Sequence, residues 1–307
     1  MRFTVEAWSP EYGAPTESEP REPGREPDVD VELPASQWRA IAPDMTPAPD
    51  ILFVDGVRRV DANLWIEQSD GAAEMGLCAT YAAGAVRCNG AAEIVEASVE
   101  RGLFTSASGA ADVETRHGSY WVKATTGTTP PELWLGIQQR MGELEGRVAF
   151  RHRDSDLIVV DGPLSHHQQI PGAVGYVKTH HVQYLPPELR PVMAGLPAGR
   201  RTPLFLVTGH RSAYSWYLRL AVAPGPTGGI VRCEVSADRT AAEAALIADR
   251  VSVTLPRFAS HEHKDPRAPQ NLYPIGGLER ELRRRLGDPR LLYRALREAS
   301  AATSGVA

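Results

Sequence analysis

Two short segments constrain the fold of this chain more than any other part of its sequence. Each has four consecutive apolar residues followed by Asp-Gly, and the two acids are Asp55 and Asp161. An unbroken apolar run of this length is typical of a β-strand that is covered on both faces. The segments therefore predict a buried sheet with an aspartate at the carboxyl end of each strand, where ligands of open α/β sheets usually bind.

The segment between these strands predicts a long helix. Thr129 precedes two prolines and a glutamate, which is typical of a helix start, and the helix should run to about Phe150. Its apolar face consists of four residues at helical spacing, namely Ile137, Met141, Leu144 and Val148. Glu145 lies about 70° from the centre of this face and can point along the sheet edge towards Asp161. Glu143 lies on the far side and is expected to be solvated.

Strands and helices alternate along the rest of the chain. Further strands are expected at Val60–Glu67, Leu77–Val86, Ala173–Thr179, Pro203–Thr208, Tyr214–Val222 and Ile230–Val235. Helices are expected at Thr240–Val253 and, in two arginine-rich segments, after Pro274. Glu93–Phe104 is ambiguous, and Ser106–Gly118 is expected to be a loop. This interleaving predicts an α/β domain with a mixed sheet flanked by helices.

The first 45 residues are expected to lie outside this domain. Residues 1–8 could form a short strand, whereas Ser9–Pro34 is rich in Pro, Glu and Gly and has almost no apolar residues. Such a composition predicts a flexible acidic segment. We therefore divide the chain into an N-terminal part, residues 1–45, and a main domain, residues 46–300.

Composition limits the setting in which the chain could act. Its 33 basic and 38 acidic residues give a net charge of −5, which argues against coating nucleic acid with the whole surface but permits a local basic groove. No apolar run is long enough to span a bilayer, and the amino terminus lacks the features of a secretory signal. Three scattered cysteines favour buried, reduced thiols. We expect a cytoplasmic protein that does not enter a membrane.

The two aspartates predict a metal site if their strands are neighbours. Two carboxylates at close range cannot both ionise cheaply unless a cation lies between them, and oxygen ligands suit Mg²⁺ or Mn²⁺. Lys178 ends an apolar strand just after Asp161 and could bind a phosphate or help to activate water. The structural alternatives are an ordinary Asp-Gly turn for each aspartate, a surface position for Glu145 and a solvent-reaching Lys178.

These segments, taken in order, resemble the NurA nucleases. The resemblance rests on the strand Ile51–Gly56, the helix with Glu145, the segments Asp161–Leu164 and Gly175–Lys178, and the Tyr-Pro segment Asn271–Ile275 with its following helix. It covers most of the chain from about residue 50 to residue 285.

The resemblance implies an RNase H-like core and Mn²⁺- or Mg²⁺-dependent hydrolysis of DNA. It also implies a homodimer with a central channel that docks onto a HerA-type hexameric translocase. By position, Asp55, Glu145 and Asp161 would be metal ligands and Lys178 an active-site cation. The family often has a histidine or an acid six residues after the tyrosine of its Tyr-Pro motif, and Glu279 occupies that position here. It would be a fourth ligand, or it could form an i,i+4 ion pair with Arg283.

Several alternatives stay open at this point. The terminal arginines could line a DNA path, although the acids between them favour a salt-bridged, solvated helix: Arg280, Arg283, Arg284 and Arg285. Trp216 could stack on an unpaired base or belong to the core. A P-loop ATPase is excluded because the Gly-x-x-x-x-Gly-Lys-Ser/Thr loop is absent. The remaining rivals are a catalytically inactive, NurA-like partner-binding module and an RNase H-like nuclease that acts on RNA or transposon ends.

Overall fold

One mixed sheet organises the part of the chain that the computed structural model describes, namely residues 1, 3–5, 26–164, 170, 172–178, 182–209, 212–225, 227–265 and 267–304. Its strands are β1 (Phe3–Val5), β2 (Ile51–Glu67), β3 (Ala73–Cys88), β4 (Ala92–Thr105), β5 (Val113–Thr115), β6 (Gly118–Ala124), β7 (Leu157–Asp161), β8 (Ala173–Val177), β9 (Phe205–Val207), β10 (Ala213–Arg219) and β11 (Ile230–Ser236). The helices are α1 (Pro130–Arg151), α2 (Arg190–Ala194), α3 (Ala241–Thr254), α4 (Tyr273–Arg285) and α5 (Pro289–Ser304).

The strands follow the order β5-β6-β4-β3-β2-β7-β8-β11-β10-β9, and β1 pairs with the far end of β2. Strands β2, β3 and β4 form an antiparallel meander. Strands β7 and β8 then run parallel to β2. The prediction of an α/β fold with a mixed sheet flanked by helices is confirmed.

Helices cover both faces of the central strands. Alternate residues of β2 and β7, such as Leu52 and Val160, pack with the apolar face of α1. The intervening residues, such as Phe53 and Val159, pack with α3 and α4 on the opposite face. The expected apolar face of α1 is buried, and Glu143 is exposed as expected. The strand that carries Asp55 is therefore buried on both sides, as its apolar run predicts.

The prediction that the first strand ends at Asp55 and Gly56 is wrong. The segments expected to be two strands are one 17-residue strand, β2, which pairs with β3 from Ile51 to Glu67. It continues because the residues beyond Gly56 also bury apolar side chains, among them Val57 and Val60. By contrast, β7 does end at Asp161.

The structure also settles the segments that the sequence left open or misjudged. The ambiguous segment Glu93–Phe104 is strand β4, and the expected loop Ser106–Gly118 contains β5. Helix α1 begins after Thr129, whose backbone N–H donates to Glu132 Oε2 at 3.1 Å. Strand β8 ends at Val177, before Lys178, and Thr179 lies outside the described residues.

The N-terminal segment is partly anchored. The expected strand within residues 1–8 is β1, and residues 9–25 of the expected flexible segment lie outside the described residues. The described end of that segment packs on the main domain, since Asp28 pairs with Leu206 and Glu32 accepts hydrogen bonds from Arg201. Residues 26–34 therefore contact the main domain, and the flexibility of the acidic segment stays a prediction.

The structure also bears on the terminal arginines, Trp216, the cysteines and the expected absence of a bilayer-spanning segment. Arg283, Arg284 and Arg285 of α4 form ion pairs with Glu279 and Glu281, so the salt-bridged helix is confirmed. Trp216 is fully buried, which excludes stacking on a base. Cys78, Cys88 and Cys233 are buried free thiols. Among the described residues, no helix is long and apolar enough to cross a bilayer.

Candidate active site

Asp55 and Asp161 lie side by side on neighbouring parallel strands. The last pairs between β2 and β7 join Phe53 to Val159 and Val54 to Val160, so the two aspartates come next on their strands. Paired strands are about 4.8 Å apart. Side chains alternate along a strand, and Phe53 and Val159 both point towards α3 and α4, so the two aspartates share that face.

The electrostatics of this pair are unfavourable in the absence of a cation. Burial raises the pKa of Asp55 well above its ordinary value, and the nearby charge of Asp161 raises it further. Burial also raises the pKa of Asp161, which the positive charge of Lys178 partly counteracts. Two buried, ionised carboxylates at this spacing would stabilise a bound cation.

Lys178 is held in place at this pair. Its Nζ lies 2.6 Å from Asp161 Oδ2 and donates to Asn271 Oδ1 at 2.9 Å. Asn271 is fully buried, and its Nδ2 donates to Asp265 Oδ2 at 2.5 Å. The alternative of a solvent-reaching lysine is therefore wrong, since the ammonium group is fixed by two partners.

Glu145 reaches the same region from the opposite face of the sheet. Its residue is 5% exposed, so the alternative of a surface position is wrong. A Cβ atom at Gly56 would overlap Glu145 Oε1 and would lie 3.0 Å from Met141 Cγ. The carboxylate thus occupies the space that a side chain at position 56 would need. It is close enough to raise the pKa of both Asp55 and Asp161.

Glu279 approaches from α4 and is held by two arginines. Arg267 Nη2 lies 2.6 Å from Glu279 Oε2, and Arg283 Nη2 lies 3.2 Å from Glu279 Oε1. Burial acts to raise the pKa of Glu279, but hydrogen bonds from Arg267 and Arg283 outweigh it and lower the pKa. The alternative of an ion pair with Arg283 is thus observed, and the role of Glu279 as a metal ligand stays a prediction. Glu279 also raises the pKa of Asp55, which places its charge within reach of the aspartate pair.

The donor atoms suit a hard divalent cation, but they do not form a finished coordination shell. The charges of Glu145 and Glu279 act on the Asp55–Asp161 pair, and carboxylate oxygens are donors that Mg²⁺ and Mn²⁺ prefer. Within the described ranges, however, no three His, Cys, Asp or Glu side chains are arranged to hold a metal ion as they stand. Asp161 pairs instead with Lys178 and Glu279 with Arg267. The residue types fit a metal, and binding one would require these ion pairs to rearrange.

Sequence reasoning missed three residues of this region. Asn271 lies within the Tyr-Pro segment, but nothing in that segment shows that it would bind Lys178. Arg267 comes from a loop without periodicity. Arg58 could have been found from strand alternation, which puts it on the same face as Gly56. Its guanidinium carbon lies 5.6 Å from the centroid of the Trp134 ring, and burial lowers its pKa while the charge of Glu145 opposes that shift.

Comparison with known proteins adds no family to this description. No model of a known protein family matches the chain, and a search of curated proteins finds no match.

Proposed function

We propose that this chain is a divalent-metal-dependent nuclease that hydrolyses phosphodiester bonds at DNA ends. The observation that carries the proposal is the convergence of Asp55 and Asp161 on adjacent strands with Lys178 held between Asp161 and Asn271. Glu145 and Glu279 bring further negative charge to the same place. Buried acids with one fixed cation suit the binding of metal ions and a phosphate better than they suit a purely structural role.

The proposal includes an RNase H-like core. Its support is the strand order β4-β3-β2-β7-β8, in which an antiparallel meander is followed by α1 and a return to a strand parallel to β2. This arrangement puts the carboxyl end of β7 beside Asp55. In this topology two carboxylates that are far apart in the sequence lie on neighbouring strands.

Each residue of the site would have a distinct task. Asp55, Asp161 and Glu145 would hold divalent ions, with Glu279 as a fourth oxygen donor if it leaves its arginines. Bound Mn²⁺ or Mg²⁺ would lower the pKa of a coordinated water and neutralise charge on the phosphate. Lys178 would bind a phosphate oxygen once its ammonium group is released from Asp161.

The test is degradation of a fluorescent linear DNA in the presence of Mn²⁺. Asp55→Asn and Asp161→Asn preserve the shape of the side chains and remove their charge, so each should lower the rate by about a thousandfold or more. Glu143→Gln, on the exposed side of the helix that carries Glu145, is the matched control and should keep full activity. Undiminished cleavage by both aspartate variants would refute the proposal.

An inactive partner-binding module is the second candidate, and one observation favours it. As placed, the protein's own cations neutralise Asp161 and Glu279, which leaves the described acids without a ready metal site. A protein of this kind would show no Mn²⁺-dependent cleavage of single-stranded DNA, double-stranded DNA or RNA. The same substrates also distinguish a DNA nuclease from an RNase H-like enzyme that acts on RNA.

We further propose that the nuclease acts as a homodimer with a HerA-type hexameric translocase. This part of the proposal rests on the resemblance to the NurA nucleases. Size-exclusion chromatography with light scattering tests both states, since a dimer should form alone and a larger complex should form with the translocase. A monomer that never co-elutes with the translocase would contradict it.

A further inference from the structure

A cavity lies on the α4 face of the sheet, at the end where β2 begins. Its volume is about 540 Å³, within the range of small-molecule sites in proteins. Four parts of the chain enclose it: the start of β2, the turn between β3 and β4, a short turn at Arg257 and Phe258, and the first turns of α4. It is separate from the ion pairs of the candidate active site, since none of its lining residues takes part in them.

The walls of this cavity are mainly apolar, with polar groups from Arg257 and Tyr273. Ile51, Val86 and Leu278 form its floor, and the partly exposed Ile94 and Tyr273 stand at its edge. Burial raises the pKa of Cys88, which also lines it, to about 11, so this thiol is uncharged at neutral pH. An apolar lining with few hydrogen-bonding groups favours an apolar ligand body over a nucleobase, whose polar edge would be left unpaired.

Arg257 is the charged residue of the lining. It is exposed, and within the described part of the chain no carboxylate lies within ion-pair distance of it. Tyr273, the polar residue opposite, has its hydroxyl 2.6 Å from His261 Nδ1. A guanidinium group beside an apolar cavity is complementary to a ligand with an apolar body and one acidic group.

Gly277 leaves the cavity open on the side of α4. A Cβ atom added there would meet no atom within 4 Å, although the residue lies in the middle of a helix. Glycine costs an exposed helix interior about 1 kcal/mol relative to alanine. Its presence at a position that could hold a side chain keeps the cavity unfilled.

We propose that this cavity binds a small carboxylic acid with an apolar body, whose carboxylate pairs with Arg257. The class includes medium-chain fatty acids and aromatic acids of similar size. The proposal is independent of the nuclease proposal. The ligand would, however, contact the first turns of α4. Because α4 also carries Glu279, the ligand could shift one residue of the candidate active site.

Calorimetric titration of the full chain with decanoate tests the proposal, with 1-decanol as the uncharged probe. Decanoate should bind at one site and at least about tenfold more tightly than 1-decanol, because the alcohol cannot form a charge-assisted pair with Arg257. Arg257→Gln should reduce the affinity for decanoate to that for the alcohol and leave the alcohol unaffected. Arg140→Gln, an exposed arginine on α1, is the matched control and should bind decanoate like the wild type.

A second variant tests the cavity rather than the charge. Gly277→Leu should fill it and abolish binding of both probes, with circular dichroism and the unfolding temperature confirming that the variant folds. Equal affinity of Arg257→Gln and the wild type for decanoate would overturn the proposal, as would one-site binding that survives in Gly277→Leu. A dimer that binds no decanoate and dissociates in Gly277→Leu would assign the cavity to a second copy of the chain and would also overturn it.

Discussion

The carboxylate of Glu145 occupies the space that a side chain at position 56 would need, so position 56 must be glycine for Glu145 to lie there. Glu145 is buried, and it contributes to the raised pKa of both aspartates. The glycine after Asp55 is therefore needed for space, although its position within an Asp-Gly pair first predicts a turn. Gly162, after Asp161, has a different reason, since its φ of 93° lies in the left-handed region that favours glycine.

We expect Gly56→Ala to destabilise the protein by about 1–3 kcal/mol, since the added methyl group forces Glu145 or Met141 out of position. If the nuclease proposal holds, the same variant should also lose Mn²⁺-dependent cleavage. Urea denaturation measures the first effect and the DNA assay the second.

Gly277→Ala is the matched control for this prediction. The added methyl group meets open space within α4, so the variant should be as stable as the wild type or up to about 1 kcal/mol more stable. A Gly56→Ala protein with wild-type stability would show that Glu145 moves away at no cost, and the role given to Gly56 would be wrong.

At the scale of single residues, the sequence predicted that Asp55 and Asp161 lie close together. It did not predict the side-chain hydrogen bonds that fix Lys178 and Glu279 beside them. The repeated pattern of an apolar run before Asp-Gly identified Asp55 and Asp161, because burial of the runs forces both strands into the sheet centre. Asn271 and Arg267 could not be found in this way. They reach the site through side-chain hydrogen bonds from a loop, and such contacts leave no periodicity in a sequence.

At the scale of elements, an ion-pair cluster fastens the C-terminal end of α1 to β4. Glu96 of β4 accepts hydrogen bonds from Arg151 and Ser98 and pairs with His152 Nε2 at 3.1 Å. The hydrogen bonds from Arg151 are the largest cause that lowers the pKa of Glu96, to about 2. Helix α1 carries Glu145, so this cluster helps to fix the position of an active-site candidate.

The lowered pKa of Glu96 predicts a dependence of stability on pH. Its ionised form is favoured in the folded chain, so its contribution is present above the ordinary value of 4.5 and is lost as the pH falls towards 2. Glu96→Gln should therefore cost about 1 kcal/mol at pH 7, an amount reduced by the solvent exposure of Arg151, and little once the pH has fallen to 2. Urea denaturation across this range measures the difference.

Glu143→Gln serves as the comparison for Glu96→Gln. Glu143 pairs with Arg140 on the exposed face of α1, and exposed pairs of this kind contribute little, so its removal should cost less than about 0.5 kcal/mol at every pH. A Glu96→Gln protein whose stability follows that of Glu143→Gln at pH 7 would show that the cluster does not fasten α1.

The bounds of an element were predicted well where one hydrophobic periodicity ran along its whole length. They were predicted poorly where the pattern of burial changed within a strand. Helix α1 has an apolar face over its whole length, and its start and end were close to those observed. The boundary assigned at Gly56 was wrong because the burial of β2 on both faces is interrupted at Arg58 and Arg59 and then resumes from Val60 to Leu64. This change in the apolar pattern led to the prediction of two strands, because a break in such a pattern is also what marks the end of a strand.

At the scale of the whole molecule, Arg201 joins parts that are far apart in the sequence. It is 1% exposed, and its guanidinium lies 2.7 Å from Glu32 Oε1 and 2.7 Å from Asp249 Oδ1. Glu32 belongs to the N-terminal segment and Asp249 to α3. Together with the pairing of Asp28 with Leu206, this contact holds residues 26–34 against the domain, which their acidic composition did not predict.

Arg201→Met should destabilise the chain by about 3 kcal/mol, because it leaves two partly buried carboxylates without their cation. The neighbouring Arg200→Met removes an arginine that forms no ion pair with any described residue, and it should cost less than about 0.5 kcal/mol. Limited proteolysis should then cut within residues 26–34 in Arg201→Met alone. Equal stability and equal cleavage of the two variants would show that Arg201 does not anchor this segment.

The continuity of β2 gives the two aspartates unequal freedom. Asp55 lies inside a strand that is paired with β3 on both sides of it, whereas Asp161 is the last residue of β7. Displacing the backbone of Asp55 would disturb a 17-residue strand on both sides of it, whereas the backbone of Asp161 ends its strand and is followed by Gly162. We therefore expect the backbone at Asp55 to stay in place when an ion or substrate binds. Any backbone movement of the site should occur at Asp161 and the residues that follow it.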